Sequence, residues 1–186
     1  VLIVKRHFSF NQNPMFLNFI NGTLDLKEGK FSDNHKRELY QNVQFPFSFD
    51  RDQKCHLWLN FLKSLEFDQH TIMRLQEWVG YCLFPKVIGT LQKSLFFVGE
   101  GANGKSVFLE TISTVLDNVS HLELSEMFER FKMAELEGKL ANICTDVETS
   151  KVMDARFKKI VAGETQTVER KFKPPFDLKP FAKILF

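Results

Sequence analysis

The sequence predicts a three-layer α/β fold, a central parallel sheet with helices on both faces, preceded by a small domain of one hairpin and two helices. Three observations predict it. Beyond residue 90, short continuous apolar runs alternate with helix-competent segments, as strands buried on both faces of a parallel sheet require. A glycine-rich stretch, Gly99-Glu100-Gly101-Ala102-Asn103-Gly104-Lys105-Ser106, joins one such run to one such helix. Before residue 86 the pattern is different, with an Asn-Gly turn between alternating segments and then two amphipathic stripes. The boundary is placed between residues 88 and 89, giving an accessory domain over 1–88 and a core over 89–186.

Taken in order, Leu17 and Phe19 alternate with polar neighbours, and Asn21-Gly22 supplies a tight turn before Thr23-Leu24-Asp25-Leu26. Glu28-Gly29 makes a second turn, and residues 32–52, polar and broken by Pro46, read as mostly loop. Leu57, Trp58, Phe61, Leu62 and Leu65 recur at helical spacing, with Asp50 or Asp52 as the cap. Ile72, Leu75, Val79, Cys82 and Leu83 form a second stripe, ended by Pro85. In the core, strands are expected at 94–98, 140–145 and 181–186, helices at 106–116 and 152–161, and a hairpin at 165–176.

Composition is that of an ordinary globular chain, 44% hydrophobic and 26% charged, with 21 Phe among 186 residues. A net charge of +2 does not by itself argue for nucleic acid, so any basic surface must be local. Cys55, Cys82 and Cys144 lack metal-ligand spacing and read as free thiols of a reducing compartment. No apolar run reaches transmembrane length and no leader is evident, so a cytoplasmic protein without a membrane partner is expected. Both termini read as cut from something longer.

The glycine-rich stretch carries the chemistry. An anion is best held by the unpaired N–H groups at a helix N-terminus, and glycines let the backbone wrap phosphates without Cβ clashes. In such a loop Lys105 reaches the β- and γ-phosphates and Ser106 ligates magnesium, which points to ATP with Mg2+. A partner acid is needed at the end of a neighbouring strand, and Asp146 and Glu148 follow the run ending at Thr145. Asp146 is assigned to magnesium and Glu148 to polarising the attacking water; helix or turn capping is the alternative for both. In Glu169-Arg170-Lys171-Phe172-Lys173-Pro174-Pro175-Phe176, cations surround an aromatic at a hairpin tip, the mixture that binds single strands without regard to sequence, although on the residues alone an ordinary solvated basic turn is the favoured reading.

From Lys93 onward the chain resembles superfamily 3 helicases of the phage and plasmid primase–helicase type, built on an AAA+-like core. The resemblance rests on the Ala102-Asn103-Gly104-Lys105-Ser106 ending of the loop, Ala134-Glu135-Leu136-Glu137-Gly138-Lys139, Asp146-Val147-Glu148, Gly163-Glu164 and the basic 170–175 stretch. The preceding region is similar to the domain found before that core in poxvirus and phage primase–helicases. The resemblance implies an ATP-dependent helicase whose nucleotide site runs from Gly99 through Ser106 to Val107, with Lys105, Asp146 and Glu148 catalytic. It also implies a homo-hexamer whose hairpin residues Arg170, Lys171, Phe172 and Lys173 track single-stranded or fork DNA. The family's polar sensor residue and arginine finger would fall beyond Phe186. In AAA+-like cores the sensor strand lies between the loop strand and the acid strand, so residues 181–186 should be central, with Lys183 at a strand end or reaching to solvent.

Two other readings stand beside this one. A small-molecule P-loop transferase or GTPase would share the loop, but the guanine-reading Asn-Lys-x-Asp motif is absent, as is an arginine-rich lid. A nucleotide-dependent DNA-binding or assembly module without hydrolysis would not need both Asp146 and Glu148.

Overall fold

The computed structural model describes residues 13, 15–84, 91–145 and 155–186. The chain divides into two compact units, Val1–Phe49 and Asp50–Phe186. Both amphipathic helices therefore fall in the second unit, whereas the sequence reading grouped them with the hairpin.

In the first unit, β1 (Phe16–Phe19), β2 (Gly22–Asp25) and β3 (Lys30–Ser32) form an antiparallel meander. Alternation puts Leu17 and Phe19 inward, where Phe19 meets the rings of Phe45, Phe47 and Phe49 at centroid distances of 5.3–5.7 Å. The turn is one residue earlier than the Asn-Gly signal suggests: Phe19 pairs with Gly22, leaving Ile20-Asn21 as the loop. Gly22, at φ +149°, is needed for a different reason, because a Cβ there would lie 2.0 Å from the Ser32 carbonyl oxygen of the third strand. The loop after β3 is irregular but fixed. Phe45 N–H donates to the Asn18 carbonyl, Asn21 exchanges two bonds with the Phe49 backbone, and Gln41 and Gln44 amides donate to the Phe16 and Phe19 carbonyls. These bonds cover the free edge of β1.

The second unit begins with α1 (His56–Ser64) and α2 (Gln69–Cys82). In α1 only Leu62 is buried and Leu57 is 88% exposed, so Leu57 does not belong to the core stripe. Neither Asp50 nor Asp52 caps it; Cys55 occupies the cap position without a side-chain bond. The cap of α2 is Asp68, whose carboxylate accepts from Thr71 N–H at 2.6 Å, a bond that lowers its pKa.

The core sheet is β4 (Val119–Ser120), β5 (Ala141–Ile143) and β8 (Lys183–Leu185), all parallel. On the other side of β8 runs the 95–97 segment. Leu95 N–H donates to the Ile184 carbonyl (2.9 Å), Phe186 N–H to Leu95 (2.9 Å) and Phe97 N–H to Phe186 (2.7 Å). β8 is thus central, between the segment that leads into the glycine loop and the strand that leads toward Asp146. The loop-bearing segment is less regular than its apolar run suggests. No described residue pairs with its outer flank, Leu95 to Phe97 are half-buried, and Val98 is 93% exposed. Helix α3 (Lys105–Leu116) buries Phe108, Leu109, Ile112 and Leu116. Helix α4 (Ala155–Val161) precedes the antiparallel pair β6 (Gln166–Val168) and β7 (Phe176–Leu178), which the chain makes before returning to the sheet as β8. No helix among the described residues is long and apolar enough to cross a membrane.

Lys183 takes the first of its two expected places. It begins β8, as expected, but it is 3% exposed and does not reach solvent. Its ammonium donates to the Phe84 carbonyl just beyond α2 and lies 4.9 Å from the Tyr81 ring centre. Burial pushes its pKa down to about 8 and pushes the Cys82 thiol up to about 12.

Candidate functional site

The 99–106 loop leaves the sheet at the carboxyl end of its segment and enters α3 at Lys105, the place where parallel sheets present ligand sites. Gly104 stands immediately before the helix at φ +79° and Ala102 two residues earlier at φ +59°, so the backbone turns through left-handed positions before the helix starts. The first i→i−4 bond into α3 is Phe108 N–H to Gly104 (3.0 Å), which leaves the preceding N–H groups without partners inside the helix. Lys105 folds back over the loop: its ammonium donates to the Gly99 carbonyl (2.9 Å), the Glu100 carbonyl (2.7 Å) and Asn103 Oδ1 (2.7 Å). A Cβ on Gly99 would come within 2.7 Å of Asn103 Nδ2 and 3.5 Å of the Lys105 ammonium, so the loop closes around a space that only glycine leaves open. Ser106, Val107 and Gly101 are exposed at its mouth. The donor set of backbone N–H groups, an ammonium and a hydroxyl is one that fits a polyphosphate and its cation.

Asp146 and Glu148 lie outside the described residues. Thr145, the last described residue before them, follows β5 and leaves the sheet at the same edge as the loop, because both neighbouring strands run parallel to β8.

Between β6 and β7 the chain makes a loop over residues 169–175, closed by the Val168–Phe176 pair. Phe172 is at its tip, fully exposed and at φ +64°, with Lys171 and Lys173 exposed on either side.

The fold is shared with the C-terminal region of NrS-1. Two apo structures of that region, each 17% identical, superpose with TM-scores of 0.59 and 0.60, covering 72% of this chain and 33% of theirs. A third, at 18% identity, gives 0.58 over 72% of this chain and 32% of that one. The chain therefore spans about a third of the structures it resembles, and at these identities the likeness is one of fold. Residues 97–186 match a family of unknown function (DUF5906), and residues 4–65 match a family described as D5 N terminal like. No curated protein matches the chain. The first of these matches starts at Phe97, before the glycine loop, and runs through the hairpin to the end of β8, so loop and hairpin fall within one matched stretch.

The structure separates the hairpin cations from one another. Arg170 pairs with Glu137 and stacks over the Phe176 ring at 4.9 Å, while Glu169 beside it pairs with Arg130 at 2.8 Å. These two ion pairs of opposite sense tie the hairpin base to the 126–137 stretch, leaving Lys171, Phe172 and Lys173 as the projecting group. Lys132 is engaged by Glu126 (3.2 Å) and Glu135 (3.7 Å), which raises its pKa. The sequence alone assigns no pairing to Arg130 or to Glu137. The only available hint was charge alternation over 169–170 against 130–137, which a single sequence does not pair.

Helix α1 supplies a second contact that the sequence did not signal. A Cβ on Gly104 would lie 2.5 Å from Leu65 Cδ2 and 3.4 Å from the Phe61 ring, and Trp58 meets Phe108 of α3 at 5.3 Å. The C-terminal end of α1 thus packs directly on the glycine that opens α3.

Proposed function

We propose that this chain is part of a primase–helicase-type replication protein, and that its second unit couples ATP binding and hydrolysis to movement along single-stranded DNA. The observation that carries the reading is the strand order: β8 lies between the loop-bearing segment and β5, with a basic hairpin inserted on the way to β8. The D5-N-like match over residues 4–65 and the fold likeness to NrS-1 support a protein of this type.

In this reading the backbone N–H groups of residues 101–107 cradle the phosphates. Lys105 exchanges its three loop acceptors for phosphate oxygens, so the loop is preorganised by the same ammonium that later neutralises the ligand. Ser106 and Asp146 hold Mg2+, which when bound offsets charge on the phosphates. Glu148 takes a proton from the attacking water. Lys171 and Lys173 meet backbone phosphates and Phe172 stacks on a base, with Arg170 fixing the hairpin base through Glu137. The full-length protein assembles as a hexameric ring.

The test is calorimetric titration with ATP and Mg2+ and a steady-state ATPase assay with and without oligo(dT), run on the wild-type chain and on the full-length protein. Binding lost in Lys105→Ala, and turnover stimulated by oligo(dT), are the expected results. Wild-type ATP affinity in Lys105→Ala refutes the loop assignment. ATPase activity of the full-length protein indifferent to DNA favours a transferase or switch instead.

A further inference from the structure

The first unit carries a polar cleft that the nucleotide site does not involve. It has a volume of about 490 Å³ and is lined by Asn18, His35, Lys36, Arg37, Tyr40, Gln41 and Gln44, with no carboxylate among them. The wall is hydrogen-bonded to the sheet. The His35 ring bridges Asn18 Oδ1 (2.8 Å) and the Ile20 carbonyl (3.2 Å), and the Gln41 and Gln44 amide nitrogens donate to β1 carbonyls. Both glutamines therefore turn their NH2 groups to the protein and keep an amide oxygen as an acceptor. Lys36 lies 5.0 Å from the Phe16 ring centre, which keeps its ammonium over the outer face of β1.

The deciding residue is Tyr40. Of the five non-glycine residues at positive φ among the described ones, two are aromatic, Tyr40 (φ 47°) and Phe172 (φ 64°). A bulky side chain in that region is strained and persists where its surroundings impose it, commonly at binding sites. Both aromatics are exposed, Tyr40 by 47%, and both have cations within four residues along the chain: Lys36 and Arg37 for one, Lys171 and Lys173 for the other. The Tyr40 N–H closes the turn on the Arg37 carbonyl at 3.2 Å, so cations and ring sit on one tight turn. We infer that this cleft is a second binding site for single-stranded polynucleotide, in which Lys36 and Arg37 meet phosphates, Tyr40 stacks on a base and the glutamine oxygens accept from base N–H groups. The site is complete within the first unit and stands whether or not the hairpin binds DNA.

The experiment uses the whole chain with fluorescein-labelled dT20 in anisotropy titrations, and a 5-bromodeoxyuridine-substituted dT20 for photocrosslinking. In a hairpin-deficient background (Lys171→Ala, Phe172→Ala, Lys173→Ala) salt-sensitive binding should persist. Adding Lys36→Ala and Arg37→Ala should flatten the slope of log affinity against log salt by about 1.4, at ~0.7 per single-strand phosphate contact. Adding Tyr40→Ala should weaken binding by about 5- to 150-fold, while Tyr40→Phe, which keeps the ring, should bind like its parent. In the unmutated chain the crosslink should map to the peptide containing Tyr40. Loss of all binding in the hairpin-deficient background, or a crosslink confined to other peptides, overturns the inference. So does a Tyr40→Ala variant that binds like its parent and is displaced by heparin, since that describes a polyanion surface without base recognition.

Discussion

Replacing Lys183 with Met should stabilise the second unit near neutral pH, although Lys183 makes a hydrogen bond. Lys183 is 3% exposed, no carboxylate pairs with it among the described residues, and burial lowers its pKa from 10.5 to about 8. At 1.36 kcal/mol per decade, that fall puts about 3 kcal/mol of penalty on the charged form. Met of similar length removes the penalty but gives up the bond to the Phe84 carbonyl and the approach to the Tyr81 ring, together about 1–2 kcal/mol. The variant should therefore be more stable than wild type by about 1–2 kcal/mol at pH 7. The pH dependence gives the sharper test. Below pH 8 both folded and unfolded chains carry the proton and the difference is flat. Between 8 and 10.5 the unfolded chain binds more protons than the folded one, so wild-type stability rises and the advantage of the variant disappears. The Cys82 thiol, pushed up to about 12, acts in the opposite sense above pH 9, but it is present in both proteins and largely cancels in the comparison. Urea unfolding at pH 7, 8.5 and 10 measures this. A variant less stable than wild type at pH 7, or a difference that does not change between pH 7 and 10, refutes the account of Lys183 as a buried, penalised charge.

Gly22→Ala should destabilise the first unit by about 2 kcal/mol or more, since its Cβ would sit 2.0 Å from the Ser32 oxygen at φ +149°; a urea midpoint equal to wild type argues against that packing. Asp68→Ala should lower the thermal midpoint at pH 7 by removing the α2 cap. The Asp68 carboxyl is held below its ordinary 3.8, so the stability it contributes is present above that pH and is lost as pH falls through the lower folded value; a difference that grows on acidification contradicts the cap. Glu148→Gln in the full-length protein should keep ATP binding and lose turnover by about tenfold or more, because activating water is a kinetic task; undiminished turnover moves the role to Asp146 alone.

What the sequence showed of the fold was whatever rested on periodicity or on unbroken apolar runs. Helix α3, the β5 and β8 strands and the hairpin around Phe172 stand where the pattern put them, because each needs only its own residues to declare burial. The failures are places where a distant partner decides. Leu57 continues the α1 stripe in spacing yet is exposed, since nothing in the pattern says where the facing surface ends. Gly22 was read as a turn residue because the Asn-Gly pair has that meaning locally, while its actual constraint is a carbonyl ten residues away. The two-residue β4 is too short to show alternation at all. It is held by Asn142, which exchanges bonds with both backbone groups of Leu122 (2.9 Å each) from the neighbouring strand.

The candidate site divides the same way, and the division bears on how it works. Gly104, Lys105 and Ser106 are legible because phosphate chemistry dictates their types and spacing. What holds them is not. Leu65 and Phe61 press on Gly104 from the C-terminal end of α1, far earlier in the chain, so the position that must stay glycine for its left-handed φ must also stay glycine to admit α1. A displacement of the α1 end cannot leave that contact unchanged, and neither could a rotation of Gly104 if, as proposed, Lys105 exchanged its carbonyl partners for phosphate. The glycine loop is therefore joined to α1 through the apolar side chains of Leu65 and Phe61. Leu65→Ala should loosen that joint without touching any group that meets phosphate. In ATP titrations its effect should appear as a changed heat-capacity change on binding, because the apolar surface at Gly104 is no longer fully buried in one of the two states. An affinity and heat capacity both identical to wild type would show that α1 only shelters the loop and takes no part when it closes.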